Sequence, residues 1–134
     1  MNFRVIFNEA EWTKAVEAVA SRTIRTFVFD TVNRMKVSFA KAKSGRFYKV
    51  SKRGRLHQAS APGEAPAILT GFLANSILTS FPSQTTGVIT IGAEYAEYLE
   101  RGTSRMAARP FVEPALNGAL DQINRGGLLG RIDA

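Results

Sequence analysis

Residues 9–41 read EAEWTKAVEAVASRTIRTFVFDTVNRMKVSFAK, and no glycine or proline interrupts them. Apolar positions, with Thr23 among them, recur at Trp12, Ala15, Val16, Val19, Thr23, Phe27, Val28, Val32, Met35 and Phe39. The steps are mostly three or four residues, which places these side chains along one helical stripe. The stretch therefore predicts one helix from about Glu9 to about Lys41, roughly 50 Å long at 1.5 Å per residue. Asn8 and Glu11 stand at capping-box spacing, Glu9 and Glu11 suit the positive end of the helix dipole, and the cationic far end suits its negative end. A helix this long outruns the core of a small domain. Its far end is expected to pack against another chain or to stand free.

Shorter elements surround that helix. Phe3, Val5 and Phe7 alternate over residues 2–7, a short strand signal. Lys43 to Pro66 has no periodic pattern and is broken by Gly45, Gly54, Pro62, Gly63 and Pro66, which predicts a long loop. Thr70 is placed to cap a short helix over residues 71–76. Ile77 to Phe81 and Val88 to Ile91 read as two strands of a hairpin, joined by a turn region from Pro82 to Gly87. Ala93 to Arg101 reads as a short helix stopped by Gly102, and Thr103 to Arg109 as a loop. A last helix is expected from about Phe111 to Asn124, with Pro114 tolerated in its first turn. Its stripe is Val112, Ala115, Leu116, Ala119, Leu120 and Ile123, and residues 128–134 form a tail. The order predicts a single α+β domain: a long N-terminal helix on a small antiparallel sheet, with a C-terminal helix and a long basic loop.

With 134 residues, 45% of them hydrophobic, the chain has the length of one ordinary domain and enough apolar side chains for a core. It has no cysteine, so no disulfide framework and no thiolate chemistry, as suits a reducing compartment. No signal peptide and no membrane span is expected, and the chain is read as soluble. The net charge of +7 and a pI near 10.3 call for an acidic partner. That charge is local. Between Thr31 and Gly63 there is no Asp or Glu, whereas Arg34, Lys36, Lys41, Lys43, Arg46, Lys49, Lys52, Arg53 and Arg55 all fall there. The remainder of the chain is slightly acidic.

Enzyme chemistry finds little support. His57 is the only histidine and lies in the basic loop; a solvated histidine is the ordinary reading, and nothing positions a Ser–His–Asp arrangement around it. Glu94, Glu97 and Glu100 are spaced for metal or acid–base work, but such a trio is more often a solvated helix face. No phosphate-binding glycine loop, dinucleotide fingerprint or paired-cysteine motif is present. Phe47 and Tyr48 interleave with the loop cations in the manner of a non-specific nucleic-acid contact, yet no base-reading module accompanies them.

Two further stretches carry a resemblance. One is Tyr95-Ala96-Glu97-Tyr98-Leu99-Glu100-Arg101-Gly102-Thr103 followed by Met106, Arg109-Pro110-Phe111 and Pro114-Ala115-Leu116. The other is Ser60-Ala61-Pro62-Gly63-Glu64-Ala65-Pro66 followed by Leu69-Thr70-Gly71-Phe72-Leu73-Ala74-Asn75-Ser76-Ile77. In content and order these blocks resemble the head–tail joining and tail-completion proteins of long-tailed bacteriophages, the group that includes minor tail protein Z. The match spans roughly Ser60 to Leu116, with Gly92 to Tyr95 at the family's strand-to-helix step; the long helix agrees in character only.

The resemblance implies a virion structural protein with no catalytic residue, cofactor or metal. It would form a ring, commonly a hexamer, at the head–tail junction, through which the genome passes. Its partners would be further copies of itself, a head-completion or connector protein, and the tail tube or a tail terminator protein. It would reside in the virion, and in the host cytoplasm during assembly. The interface block would comprise Pro62, Gly63, Gly71, Leu73, Ile77, Tyr95, Tyr98, Glu100, Gly102, Thr103, Arg109, Pro110, Phe111 and Pro114. A tail-terminator role is the nearest variant, and a non-specific nucleic-acid-binding protein is the reading from another class. The local basicity departs from the family, whose channels are often acidic inside. The basic loop (Lys43, Arg46, Lys49, Lys52, Arg53 and Arg55) is expected to order against a neighbouring subunit or an acidic partner, with genomic DNA as a secondary contact and no membrane.

Overall fold

Helix α1, Lys14–Ala40, is the spine of a computed structural model that describes residues 1–6, 14–68 and 71–126. The predicted helix start at residues 9–13, the Asn8–Glu11 capping box, the strand position Phe7, the Thr70 cap and the tail at 128–134 lie outside the described residues. Around α1 stand β1 (Asn2–Ile6), β2 (Phe47–Lys49), β3 (Leu56–Gln58), α2 (Phe72–Asn75), β4 (Ile77–Ser83), β5 (Thr86–Ile91), α3 (Ala96–Arg101) and α4 (Val112–Gly126). The chain is α+β. No helix among the described residues is long and apolar enough to cross a membrane.

The buried face of α1 is formed by Ala20, Thr23, Ile24, Val28, Thr31, Met35 and Phe39. Its two threonines enter the core with their hydroxyls satisfied: Thr23 Oγ1 donates to the Val19 carbonyl at 2.8 Å and Thr31 Oγ1 to the Phe27 carbonyl at 2.7 Å. A Ser/Thr hydroxyl bonded back to its own helix presents only its methyl or methylene to the core. Thr31 is absent from the predicted stripe, although Thr23 is in it.

The expectation that the far end of α1 packs elsewhere or stands free is corrected. Met35 is fully buried and Phe39 only 3% exposed, and the Phe39 ring lies 5.2 Å from that of Phe111. α4 supplies the missing core by crossing α1 with Val112, Ala115, Ala119 and Ile123. Leu120, placed in the predicted stripe of α4, is instead 48% exposed. The outer face of α1 keeps Phe29 and Val37 exposed, and Phe29 meets Phe81 of β4 at 5.5 Å.

β1, β5 and β4 form an antiparallel sheet in that order, with β5 central. The register sets Phe3 opposite Ile89 and Ile89 opposite Thr79. Alternation then turns Phe3, Ile77, Phe81, Ile89 and Ile91 toward α1 and leaves Leu78 and Ile6 exposed on the other face. β4 runs on through Pro82 to Ser83, so the predicted turn region contracts to Gln84–Thr85. A proline is tolerated there because β4 is an edge strand and its register shifts between Ser80 and Ser83.

The sheet comes close to α1 at Gly87, where a Cβ would stand 2.7 Å from Val28 Cγ2 and 3.1 Å from Ile24 Cγ2. Gly87→Val is therefore expected to destabilise by about 1–3 kcal/mol through overpacking. Gly92→Ala, whose Cβ would meet Ser76 O no closer than 3.5 Å, should be close to neutral. Urea unfolding of the two variants checks the contrast; equal midpoints would show that the sheet does not approach α1 this closely.

Candidate functional site

The loop Thr103 to Arg109 and the turn Ala61 to Glu64 come together beside α3. α3 starts at Ala96, three residues later than the sequence pattern suggests, and Gly102 ends it with φ +76°. Gly102 N donates to the Tyr98 carbonyl at 2.8 Å, and a Cβ there would stand 2.8 Å from Ala108 N, so the loop returns against the stop itself. Thr103 N donates to the Met106 carbonyl at 2.8 Å and closes a tight turn, and Arg109 N donates to the Leu99 carbonyl at 2.7 Å. Pro110, half-buried, leads into the buried Phe111, and Pro114 sits exposed in the first turn of α4.

Glu100 joins these pieces. Its Oε2 accepts from Phe111 N at 2.7 Å and from Val112 N at 3.0 Å, and its Oε1 accepts from Glu113 N at 3.0 Å. These amides open α4 and have no intrahelical partner, so a carboxylate from another element caps the helix and meets the positive end of its dipole. The reading of Glu94, Glu97 and Glu100 as one solvated face is corrected at Glu100. Glu94 stays exposed, and Glu97 pairs with Arg101 at 3.1 Å. Among the described residues no group of three or more His, Cys, Asp or Glu side chains is gathered to hold a metal ion.

The second block docks on the first. Gly63, at φ +85°, donates its N–H to the Ala108 carbonyl at 3.0 Å. The Arg109 guanidinium donates from Nε and Nη2 to the Ser60 carbonyl at 3.4 and 3.3 Å, and from Nη1 to the Ala107 carbonyl at 3.1 Å. Gly71, at φ +79°, precedes α2; Leu73 is partly buried against the core and Ile77 is buried. Tyr95 and Tyr98 point outward, 43% and 60% exposed.

Glu64 fastens the basic segment to this assembly. It accepts from Ala61 N at 2.9 Å, from Ser44 N at 3.1 Å and from the Ser44 hydroxyl. The Ser44 hydroxyl, then the Ala61 and Ser44 amides, hold its pKa below the ordinary 4.5. Lys43 is not a free cation. Half-buried, it donates from Nζ to the Ser38 carbonyl at 2.6 Å, which serves the C-terminal end of α1 in place of the expected cationic last turn. Burial, then the nearby Lys41, push its pKa down against the pull of Glu64.

The segment 43–66 is not the structureless loop its composition suggests. β2 and β3 pair antiparallel, Phe47 opposite Gln58 and Lys49 opposite Leu56. The pairing extends outward through Gly45 N to the Ala59 carbonyl and Ala59 N to the Arg46 carbonyl, and inward to Val50 N on the Arg55 carbonyl. Gly54 N closes the tip on the Ser51 carbonyl, with Gly54 at φ +84°. The serine at the start and the glycine at the end of Ser-Lys-Arg-Gly were the available turn signal. This ribbon joins no other strand among the described residues. Arg46, Lys49, Lys52, Arg53 and Arg55 are all exposed on it.

An open cleft of about 420 Å³ lies between the ribbon base and α2–α3, lined by Phe39, His57, Leu73, Tyr95, Leu99 and Arg109 among others. His57 has no carboxylate or hydroxyl partner among the described residues, and the guanidinium is committed to backbone carbonyls. Among the described residues the arrangement braces backbone and presents apolar surface. No protein-family model matches the sequence, and neither a curated protein nor a solved structure is significantly similar to it.

Two outcomes follow from the bracing. Glu100→Ala leaves the α4 amides without their acceptor and should cost about 1–3 kcal/mol in chemical unfolding; an unchanged midpoint would mean water caps the helix as well. The Glu64 pKa is lower folded than unfolded, so its contribution is full above 4.5 and is lost as pH falls through the depressed value. Relative to their intrinsic exchange rates, the Ser44 and Ala61 amides should lose protection over that acid range in the parent. In Glu64→Gln their protection should already be low at neutral pH and change no further; a protection profile equal to the parent's would remove Glu64 from the role.

Proposed function

We propose that the chain is a structural subunit of a long-tailed bacteriophage neck, a tail-completion or head–tail joining protein that assembles as a ring, commonly a hexamer. In this role the ring lies between the head-completion or connector protein and the tail tube or its terminator, in the virion, with the genome passing through it. The observation that carries the reading is the docking of the two sequence blocks that bear the resemblance. Gly63 on Ala108, Arg109 on Ser60 and Glu100 on the start of α4 make them one hydrogen-bonded unit. The described residues of 60–116 thus act as a brace that holds elements at fixed angles, as a ring subunit requires, with Glu64, Glu100 and Arg109 bonded to backbone.

Surface composition supports assembly. Ile68, Phe72, Tyr95 and Tyr98 are 46%, 58%, 43% and 60% exposed, and the Phe72 and Tyr95 rings lie 6.2 Å apart. Exposed aromatic groups of this kind favour burial against a neighbour. A heterologous contact repeated by rotation closes a ring.

Native mass spectrometry of the full chain mixed with the connector of its own particle tests this. A closed ring of copies is expected. Tyr98→Glu should leave monomer unfolding within about 0.5 kcal/mol of the parent, as exposed substitutions do, and should abolish the ring. A chain that stays monomeric on the connector would contradict the proposal.

A further inference from the structure

The ribbon β2–β3 stands apart from the brace, and the ring reading does not account for its charge. Five cations, Arg46, Lys49, Lys52, Arg53 and Arg55, lie exposed on it. No acidic residue occurs between Thr31 and Gly63, and none of the five makes a salt bridge among the described residues. The two ion pairs among the described residues, Arg34 with Asp30 and Arg101 with Glu97, lie on helices elsewhere. A two-stranded ribbon without a third strand is marginal in water, and like charges crowded on it oppose its closure. Phe47 and Tyr48, neighbours on one strand and so on opposite faces, are 62% and 52% exposed.

Such a ribbon fits an occupant with closely and regularly spaced negative charge. The described residues of another copy do not supply it: their exposed carboxylates Glu94, Glu97, Glu113 and Asp121 are spread over the turn before α3, α3 itself and α4, and Glu97 is already paired. A nucleic-acid backbone does, with one charge per roughly 1.7 Å of duplex axis, and a two-stranded ribbon is narrow enough to lie in a major groove. The aromatic faces add a surface on which unpaired bases can stack.

We propose that the β2–β3 ribbon is a nucleic-acid-binding arm that contacts the phosphate backbone without reading base sequence, through Arg46, Lys49, Lys52, Arg53 and Arg55. Lys43 is not part of it, because its ammonium is committed to the Ser38 carbonyl. The inference stands on the ribbon alone and does not depend on ring formation.

Fluorescence anisotropy of the full chain with a labelled 30-base-pair duplex, and with one of its strands, over about 50–300 mM salt, tests it. Both probes should bind, unrelated sequences equally, with a log–log salt slope near −4 on the duplex, from about 0.9 per phosphate neutralised. Lys49→Ala/Lys52→Ala/Arg53→Ala/Arg55→Ala together should bring that slope close to −1 and lower affinity at least tenfold at 100 mM salt. Arg105→Ala, an exposed cation off the ribbon, should change neither. Circular dichroism confirms that the variants remain folded. A salt slope unchanged in the quadruple variant would overturn the proposal. So would a poly-glutamate peptide that competes as strongly as the duplex at equal charge, which would assign the arm to an acidic protein surface.

Discussion

The carboxylate of Glu100, held by three amides at the start of α4, is the contact on which the rest of the architecture depends. Without an acceptor there, α4 would begin with unpaired N–H groups at a buried end, since Phe111 and Val112 are both inside. α4 in turn closes the core over the C-terminal half of α1, where Phe111 packs on Phe39. The same glutamate fixes α3 relative to α4, so that Gly102 and the turn after it can fold back on Ala108. A single side chain thereby couples a short helix, a tight loop and the main helix–helix contact.

The second constraint is segregation of polar work from polar display. Arg109 and Glu64 spend their charges on backbone groups of the brace, and Lys43 spends its charge on the end of α1. None of the ribbon's five makes a salt bridge among the described residues. The same protein therefore combines a region in which Glu64, Glu100 and Arg109 hold backbone groups with a ribbon whose cations stay exposed. The proposed ring would draw on the first and its aromatic surface, and the proposed nucleic-acid contact on the second.

The α+β class, α1 and α4 and the β4–β5 hairpin were legible because each rests on local periodicity: three-to-four-residue steps along α1, alternation through Ile77–Phe81 and Val88–Ile91. What was not legible depends on partners distant in sequence. Glu100 looked like a third carboxylate on a wet helix face, because the amides that donate to it lie about a dozen residues on and meet it only after the chain turns at Gly102. Lys43 was grouped with the ribbon cations by charge, although burial against α1 removes it from them. The ribbon was hidden by basic side chains that weaken alternation, leaving Ser51 and Gly54 as its only turn signal. The far end of α1 was misjudged because its length was visible and the α4 surface that covers it was not.

The most direct test of the proposed neck role is a cryo-electron reconstruction of tailed phage particles assembled with this chain among their expressed proteins. It should show a closed ring of copies at the head–tail junction, with the Tyr95–Tyr98 face of each copy against its neighbour. A junction fully accounted for by other proteins, with this chain absent from it, would contradict the assignment.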